Sequence, residues 1–433
     1  MLASEDSNLK SIAEHFEELP DPRSEVNREH LLVDVIVISI GAILAGADGP
    51  TAIAVWAKSP SVAAWLQQHL ALPKGIPSKD TSRRVLQRLR PEAFQRCFES
   101  WLQSLVGTLG VRFLAIDGKT LRRSHDRKHD LGALHLVSVW ATEQNLTLAQ
   151  VATSEKSNEI TAIPQVLDLV DVKNAIVTID AMGTQTAIAA KIVDSGGDYV
   201  LPVKGNQGGL EQAVTEFFAD HLEDDFARVK VSRFESTETH HGRIEKRSYF
   251  QVNVPDDLPG RQRWKGLRTL GLVIRTREVN GIETDDIQCS ISSLKRNVKL
   301  FAKAARGHWG IENTCHWTLD MTFREDESRT RDRHLCENLA WLRLGTAQTT
   351  PQHQNQPRHE TPTSRMVCLL PLRSPVQFND LMGAGPDWTP LSRSRRRLEL
   401  AWPLGVTSRV RKNPTNPATA SWWTWTSLFS VAT

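Results

Sequence analysis

A chain of 433 residues, 40% of them hydrophobic, is long enough to bury a sizeable core and to divide into two or three domains. Its formal net charge is only +3, so the overall balance announces no polyanionic partner, and any such surface must come from local clusters. Five scattered cysteines without a CxxC pair exclude a disulfide framework and a cysteine zinc site, and they fit a reducing compartment.

The opening MLASEDSNLK carries early acids and lacks the basic-then-apolar order of a secretory leader, so a cytoplasmic location is expected. EHFEELPDPR predicts a short helix stopped by Pro20 and Pro22. The most apolar run, residues 35–47, follows Asp34 and is too short to span a bilayer. It reads as a buried helix, and no membrane partner is expected. PSKDTSRRVLQRLRPEAFQRCFESWL predicts two helices broken at Pro91, the first capped by Ser78 or Asp80. That helix displays Arg83, Arg84, Arg88 and Arg90, either as an ordinary solvated face or as one that meets DNA phosphates. Residues 1–105 therefore read as a helical N-terminal domain.

From residue 111 the pattern changes. VRFLAID, HLVSVWA and TLAQVA predict three strands of a meander, followed by a helix over about 159–170. AIVTID, the helix TQTAIAAKIVDSGG and the strand YVLPVK complete an order of three strands, helix, strand, helix, strand, which builds a mixed sheet with helices on its faces. Residues 228–294 turn strand-rich (ARVKVSRF, RSYFQVNV, TLGLVIRTREV, IQCSISSL) and read as a β insertion. KRNVKLFAKAARGHWGIENTCHWTLDMTF then returns to helix, with Phe301, Ala304, His308, Ile311 and Cys315 on one face. This second domain spans 106–345. The remainder, 346–433, reads as an irregular tail. Residues 351–433 hold 10 of the 21 prolines and 5 of the 13 tryptophans, with four acids against ten Lys plus Arg. Such a segment is either disordered or read out of frame relative to an ancestral coding sequence.

Two apolar runs end in an acid, at Asp117 and Asp180. Gly118-Lys119-Thr120 is no phosphate-binding P-loop, because position 113 is phenylalanine where that motif needs glycine. If the first and fourth strands are neighbours, the two carboxylates meet at the carboxyl edge of the sheet, where sites gather. Each acid alone reads more simply as a turn cap, and it is the like placement of the two that favours a site. A third carboxylate, Glu312, lies one position past Ile311 and can lean from the late helix toward that edge, whereas Glu325, Asp326 and Glu327 read as a solvated turn. Three carboxylates can hold two Mg²⁺ ions about 3.5–4 Å apart for phosphoryl transfer. Lys119, Arg122, Arg123 and Lys204 gather near the same edge, and Arg243 and Arg247 lie on the insertion, placed as phosphate contacts.

AIDGKTLRRS, TIDAMGTQ, LPVKGNQ, HGRIEKR and HWGIENTCHWTLDMTFREDESR, with ELPDPR, GADG and GIPSKDT before them, resemble the DDE transposases of bacterial insertion sequences, specifically the H-repeat-associated group. The resemblance covers residues 12–343. It implies an RNase H-like α/β core with a β insertion, and the triad Asp117, Asp180, Glu312 as catalytic and metal-binding residues. Two Mg²⁺ ions, replaceable by Mn²⁺, double-stranded DNA (terminal inverted repeats and target) and a homodimer on DNA follow from it. Related enzymes place Tyr, Arg and Lys around the glutamate; here those positions are Ala305, His308 and Leu319, which leaves Arg306 and His308 as candidate substitutes. The competing expectation is a catalytically impaired DNA-binding remnant of a decayed element.

Overall fold

The computed structural model describes residues 13–349, apart from 107–111, 127, 154–158, 241–242 and 280–281. The expected irregular tail therefore lies outside the described residues from 350 onward. The N-terminal third is helical: α1 (Leu32–Leu44), α2 (Pro50–Ala57), α3 (Pro60–His69), α4 (Lys79–Arg88) and α5 (Pro91–Val106). The helices α2, α3 and α5 each begin with proline, whose fixed φ suits the first helical turn and whose missing N–H is not needed there. The apolar run forms α1, buried along almost its whole length. Ser78 caps α4, its Oγ accepting from the Thr81 amide at 3.1 Å. Among the described residues no helix is long and apolar enough to cross a membrane.

The sheet contains β1 (Phe113–Leu121), β2 (Leu134–Ala141), β3 (Leu146–Thr153), β4 (Ile176–Ile179), β5 (Asp198–Pro202), β6 (Val231–His240), β7 (Arg243–Asn253), β8 (Thr269–Val279) and β9 (Ile282–Ser292). Their order is β3-β2-β1-β4-β5-β9-β8-β7-β6. β1 pairs antiparallel with β2 and parallel with β4, β4 runs parallel to β5, and every other pair is antiparallel. The mixed α/β architecture is the expected one, with a refinement: the strand-rich insertion extends the central sheet, because β9 pairs directly with β5.

Helices α6 (Glu159–Asp168) and α7 (Thr186–Asp194) pack Ile163, Val166, Ile188 and Ile192 beneath Leu114, Ile116 and Val177. A further helix, α8 (Gly208–Glu223), follows β5. On the opposite face run α9 (Val298–Gly310), a π-helical turn (Ile311–His316) and α10 (Trp317–Met321), and the described chain ends in α11 (Arg333–Thr349). Gly271 on β8 leaves room for Phe301, whose ring atom would lie 2.3 Å from any Cβ placed there.

The N-terminal helices are not detached from the sheet. Phe94, Phe98, Trp101 and Trp341 share one apolar core with Ala115, Trp140, Ile311 and Leu319. The Asn338 amide of α11 donates to the carbonyls of Leu86 (2.8 Å) and Leu89 (3.1 Å), occupying the open C-terminal end of α4.

Candidate active site

The register decides where the acids stand. β1 and β4 pair from Phe113↔Ile176 to Ile116↔Ile179, so Asp117 and Asp180 are the next residues on neighbouring parallel strands. Here the sequence expectation needs correcting. Asp117 does not end its strand: β1 continues to Leu121, paired only with β2, because β4 stops at Ile179. The carboxylate therefore lies at the notch where the parallel neighbour leaves. Asp180 turns sharply after β4, its Oδ1 accepting from the Gly183 amide at 2.9 Å, so it does serve as a turn cap.

Side chains alternate along β1, so Ala115, Asp117 and Lys119 share the face covered by the late helices. Ile311, Cys315 and Leu319 are buried against that face at intervals of four. Glu312 and His316, also four apart, flank them. The π turn carries both, and such wide turns recur at functional sites. Glu312 is exposed, and His316 Nδ1 lies 3.5 Å from Asp117 Oδ2. Burial pushes the Asp117 carboxyl up to about 7, assisted by the charges of Glu312, Glu159 and Asp180 and opposed by the Gly118 amide. Three acids are thus felt at one carboxylate. His316 is held down to about 3 by burial and by the nearby Lys119, so its imidazole is neutral.

Sequence reasoning missed the layer beneath. His135 and Glu159 are both buried and meet at 3.2 Å, with His135 Nδ1 also 2.9 Å from Thr120 Oγ1. Gly118 passes directly over them: a Cβ there would stand 2.3 Å from His135 Nε2 and 2.9 Å from Glu159 Cδ. The glycine after Asp117 is thus required by close approach. Only its position beside the aspartate hinted at this. His316 carried a signal that went unread, four residues past Glu312.

The cations divide. Lys119 is buried, 2.8 Å from Asp320, 3.0 Å from Glu325 and 3.5 Å from Asp326. It does not face an open surface, which corrects its reading as a phosphate contact; the same alternation that buries Asp117 buries it. Glu325 is buried too, not part of a solvated turn. Arg122 is exposed beside Asp326 at 3.2 Å, and Arg123 and Lys204 are exposed. On the sheet extension Arg243 donates to Glu245 at 2.9 Å, while the buried Arg247 is paired with Glu245 and, at 3.1 Å, with Glu238. Arg306 makes a two-pronged contact with Glu238 (3.1 and 3.2 Å). His308 Nδ1 lies 3.1 Å from Thr178 Oγ1, and burial pushes its pKa down to about 4. Arg83, Arg84, Arg88 and Arg90 remain exposed, with Arg83 paired to Asp80.

Among the described residues no group of three or more His, Cys, Asp or Glu side chains is gathered closely enough to hold a metal ion. The donors nevertheless fit Mg²⁺ in kind. They are hard oxygen ligands, and Mg²⁺ is commonly held by one or two carboxylates, waters and substrate phosphates. An acid whose pKa is raised by burial first and by its acidic neighbours second is one that a cation would relieve.

Residues 109–347 match the family described as "Transposase DDE domain", and residues 13–102 match "DDE_Tnp_1-associated". The chain belongs to the DDE transposase family. It is 37% identical over 340 residues to "Putative transposase YncI" of Escherichia coli O157:H7, covering 78% of this chain and 86% of that one. It is 36% identical over 340 residues to "H repeat-associated putative transposase YhhI" of Escherichia coli strain K12, covering 77% and 89%. An "Uncharacterized protein in dhlA 3'region" of Xanthobacter autotrophicus is 41% identical over 280 residues, covering 64% and 92%. As a DDE transposase this chain implies DNA as substrate and divalent metal as the usual cofactor.

Proposed function

We propose that this transposase cleaves DNA strands at the ends of an insertion sequence and transfers them to target DNA, with Asp117, Asp180 and Glu312 as its catalytic carboxylates. The β1–β4 register carries this reading, since it sets Asp117 beside Asp180 under the helix that bears Glu312. In the proposed organisation residues 106–345 form an RNase H-like catalytic domain, and 1–105 a helical domain that contacts DNA.

Asp117, Asp180 and Glu312 would hold Mg²⁺, or Mn²⁺ in its place. Held there, the metal would supply Lewis-acid activation for the attacking water or 3′-hydroxyl and would offset charge on the leaving oxygen. The chain's own residues prepare the position. Neutral His316 flanks Asp117 without adding a competing charge. Gly118 and the buried His135–Glu159 pair fix the strand from below. Arg122, Arg123 and Lys204 remain on the surface for phosphates. A homodimer on the paired DNA ends, in the cytoplasm, completes the reading.

Plasmid nicking tests it. Asp117→Asn, Asp180→Asn and Glu312→Gln should each abolish Mg²⁺-dependent nicking of a plasmid carrying the element ends while DNA binding persists. Full nicking by any of the three removes that residue from the site. A binding-only remnant is favoured by one observation: His308, at an auxiliary position, is tied to Thr178, and Arg306 to Glu238. Wild-type protein that binds ends but never nicks them in Mg²⁺ or Mn²⁺ would establish that alternative.

A further inference from the structure

The three proposed acids stand on β1, on β4 and on the helical run that begins with α9, and one chain of hydrogen bonds joins these elements just beneath them. Thr178 lies on β4 two residues before Asp180, and it stands opposite Ala115, two residues before Asp117. His308 lies on α9, four residues before Glu312. The buried Thr178 hydroxyl is 3.3 Å from the Leu114 carbonyl of β1 and 3.1 Å from His308 Nδ1. A hydroxyl has a single proton. Donated to the Leu114 carbonyl, it leaves the oxygen to accept from His308 Nδ1–H. Burial keeps the His308 imidazole uncharged near pH 7, so it carries one ring N–H, and this bond places it on Nδ1. Small residues allow the approach. Ala115 is fully buried and sets only a methyl beside Thr178, while a Cβ on Gly307 would stand 3.3 Å from Thr142 Oγ1.

We propose that Thr178 and His308 are positioning residues that set the spacing of Asp117, Asp180 and Glu312 for a divalent metal. The inference rests on the strand-cleavage reading above. Carboxylates drawn together from two strands and a helix repel one another, so their separation must be imposed by the groups behind them. Main-chain pairing imposes it on Asp117 and Asp180, because β1 and β4 are neighbours. Glu312 stands on a helix and has no such ladder to the sheet. Ile311 and Cys315 share an apolar core with Ala115, but packing of that kind is non-directional. The Thr178–His308 bond supplies direction, since it pins the turn before Glu312 to one point on β4. Outer groups that orient ligating side chains through hydrogen bonds are a general requirement of metal sites. Held this way, His308 is turned from any phosphate, and its part at this position is alignment.

Mn²⁺ binding and strand nicking test the alignment by separate readouts. Free Mn²⁺ is counted by its paramagnetic resonance as it is titrated into the whole chain, and plasmid nicking in Mg²⁺ is followed at saturating protein. Thr178→Val keeps the side chain's shape and removes its hydroxyl. It should weaken Mn²⁺ binding about 10–100-fold and slow nicking on the order of 10²-fold, with DNA affinity in EDTA unchanged. Thr178→Ser should restore most of both. His308→Leu should match Thr178→Val, and the double variant should lose no more than either alone, because each removes the same bond. If the valine variant does not fold, His308→Asn and His308→Gln replace it. The asparagine amide reaches the place of Nδ1 and should be the milder of the two. Wild-type Mn²⁺ affinity and nicking in Thr178→Val, equal losses in Thr178→Val and Thr178→Ser, or losses that sum in the double variant each overturn the proposal. So does an absence of Mn²⁺ binding by the wild type. Nicking by the wild type, lost in Asp117→Asn, decides the strand-cleavage reading separately, since Mn²⁺ affinity reports the spacing whether or not a strand is cut.

Discussion

Lys119 and Glu325, 206 positions apart, meet inside the protein at 3.0 Å. Lys119 follows Asp117 by two residues on the same face of β1, and a second partner, Asp320, lies at 2.8 Å on the helix beyond Glu312. Glu325 also lies 3.6 Å from Arg343 of α11. The pair therefore joins the strand of one proposed catalytic acid to the helix of another and to the packing of the N-terminal helices. Burial would lower the lysine's pKa, yet the surrounding acids raise it to about 12, so it stays charged. Lys119→Met should strand buried carboxylates and cost about 3–5 kcal/mol, read as a lower urea midpoint. Lys119→Met with Glu325→Gln should recover part of that loss. An unchanged midpoint in the single variant would mean that the acids find other partners.

Gly118→Ala tests the close approach under the site. The added methyl would meet His135 and Glu159, both buried, so the strand must shift or the pair must open. We expect about 1–3 kcal/mol of destabilisation and a larger loss of nicking than of DNA binding, since Asp117 moves with the strand. Normal nicking with normal stability would show that the His135–Glu159 pair yields easily.

The surface cations separate by their partners. Arg123 and Lys204 are exposed, whereas Arg247 is buried between Glu238 and Glu245. Arg123→Ala and Lys204→Ala should each flatten the salt dependence of DNA binding by about 0.9 per lost phosphate contact. Arg247→Ala should instead lower the unfolding midpoint, because it removes the buried partner that Glu238 and Glu245 share and leaves Glu238 to Arg306 and Glu245 to Arg243. A changed salt slope in Arg247→Ala alone would reverse this division.

Much of the arrangement was legible in the sequence because periodicity and apolar runs report burial directly. The eight residues of HLVSVWA and its preceding leucine, the run AIVTID and the stripe from Phe301 to Cys315 all fold as their patterns require. What stayed hidden depends on contacts between distant segments. Nothing local in AIDGKTL distinguishes a strand ending at Asp117 from one continuing along β2. That difference decides whether Lys119 meets DNA or Glu325. The pairing of His135 with Glu159 across 24 positions is equally silent in composition.

Glu337 on α11 provides a test of stability against pH. Burial first, then the negative charge of Glu92 on α5, raises its carboxyl from the usual 4.5 to about 7, with Arg333 opposing. The folded protein therefore keeps this proton over a range in which the unfolded chain has lost it. Between about pH 4.5 and 7 the native state binds more protons than the unfolded state, so this group's contribution to stability falls as pH rises. His308 acts in the opposite sense: its lowered pKa makes stability rise with pH between about 4 and 6.5, which masks the effect in wild-type protein alone. The difference between Glu337→Gln and wild type isolates it. That difference should be near zero at pH 4 and grow through pH 7. It should level off with the glutamine variant more stable by on the order of 1 kcal/mol, after discounting for the side chain's partial exposure. Thermal unfolding should register this as a midpoint about 2–4 °C higher at pH 8. A difference that is flat with pH, or that favours the wild type at pH 8, would show that Glu337 is ionised in the folded protein and finds a cationic partner there.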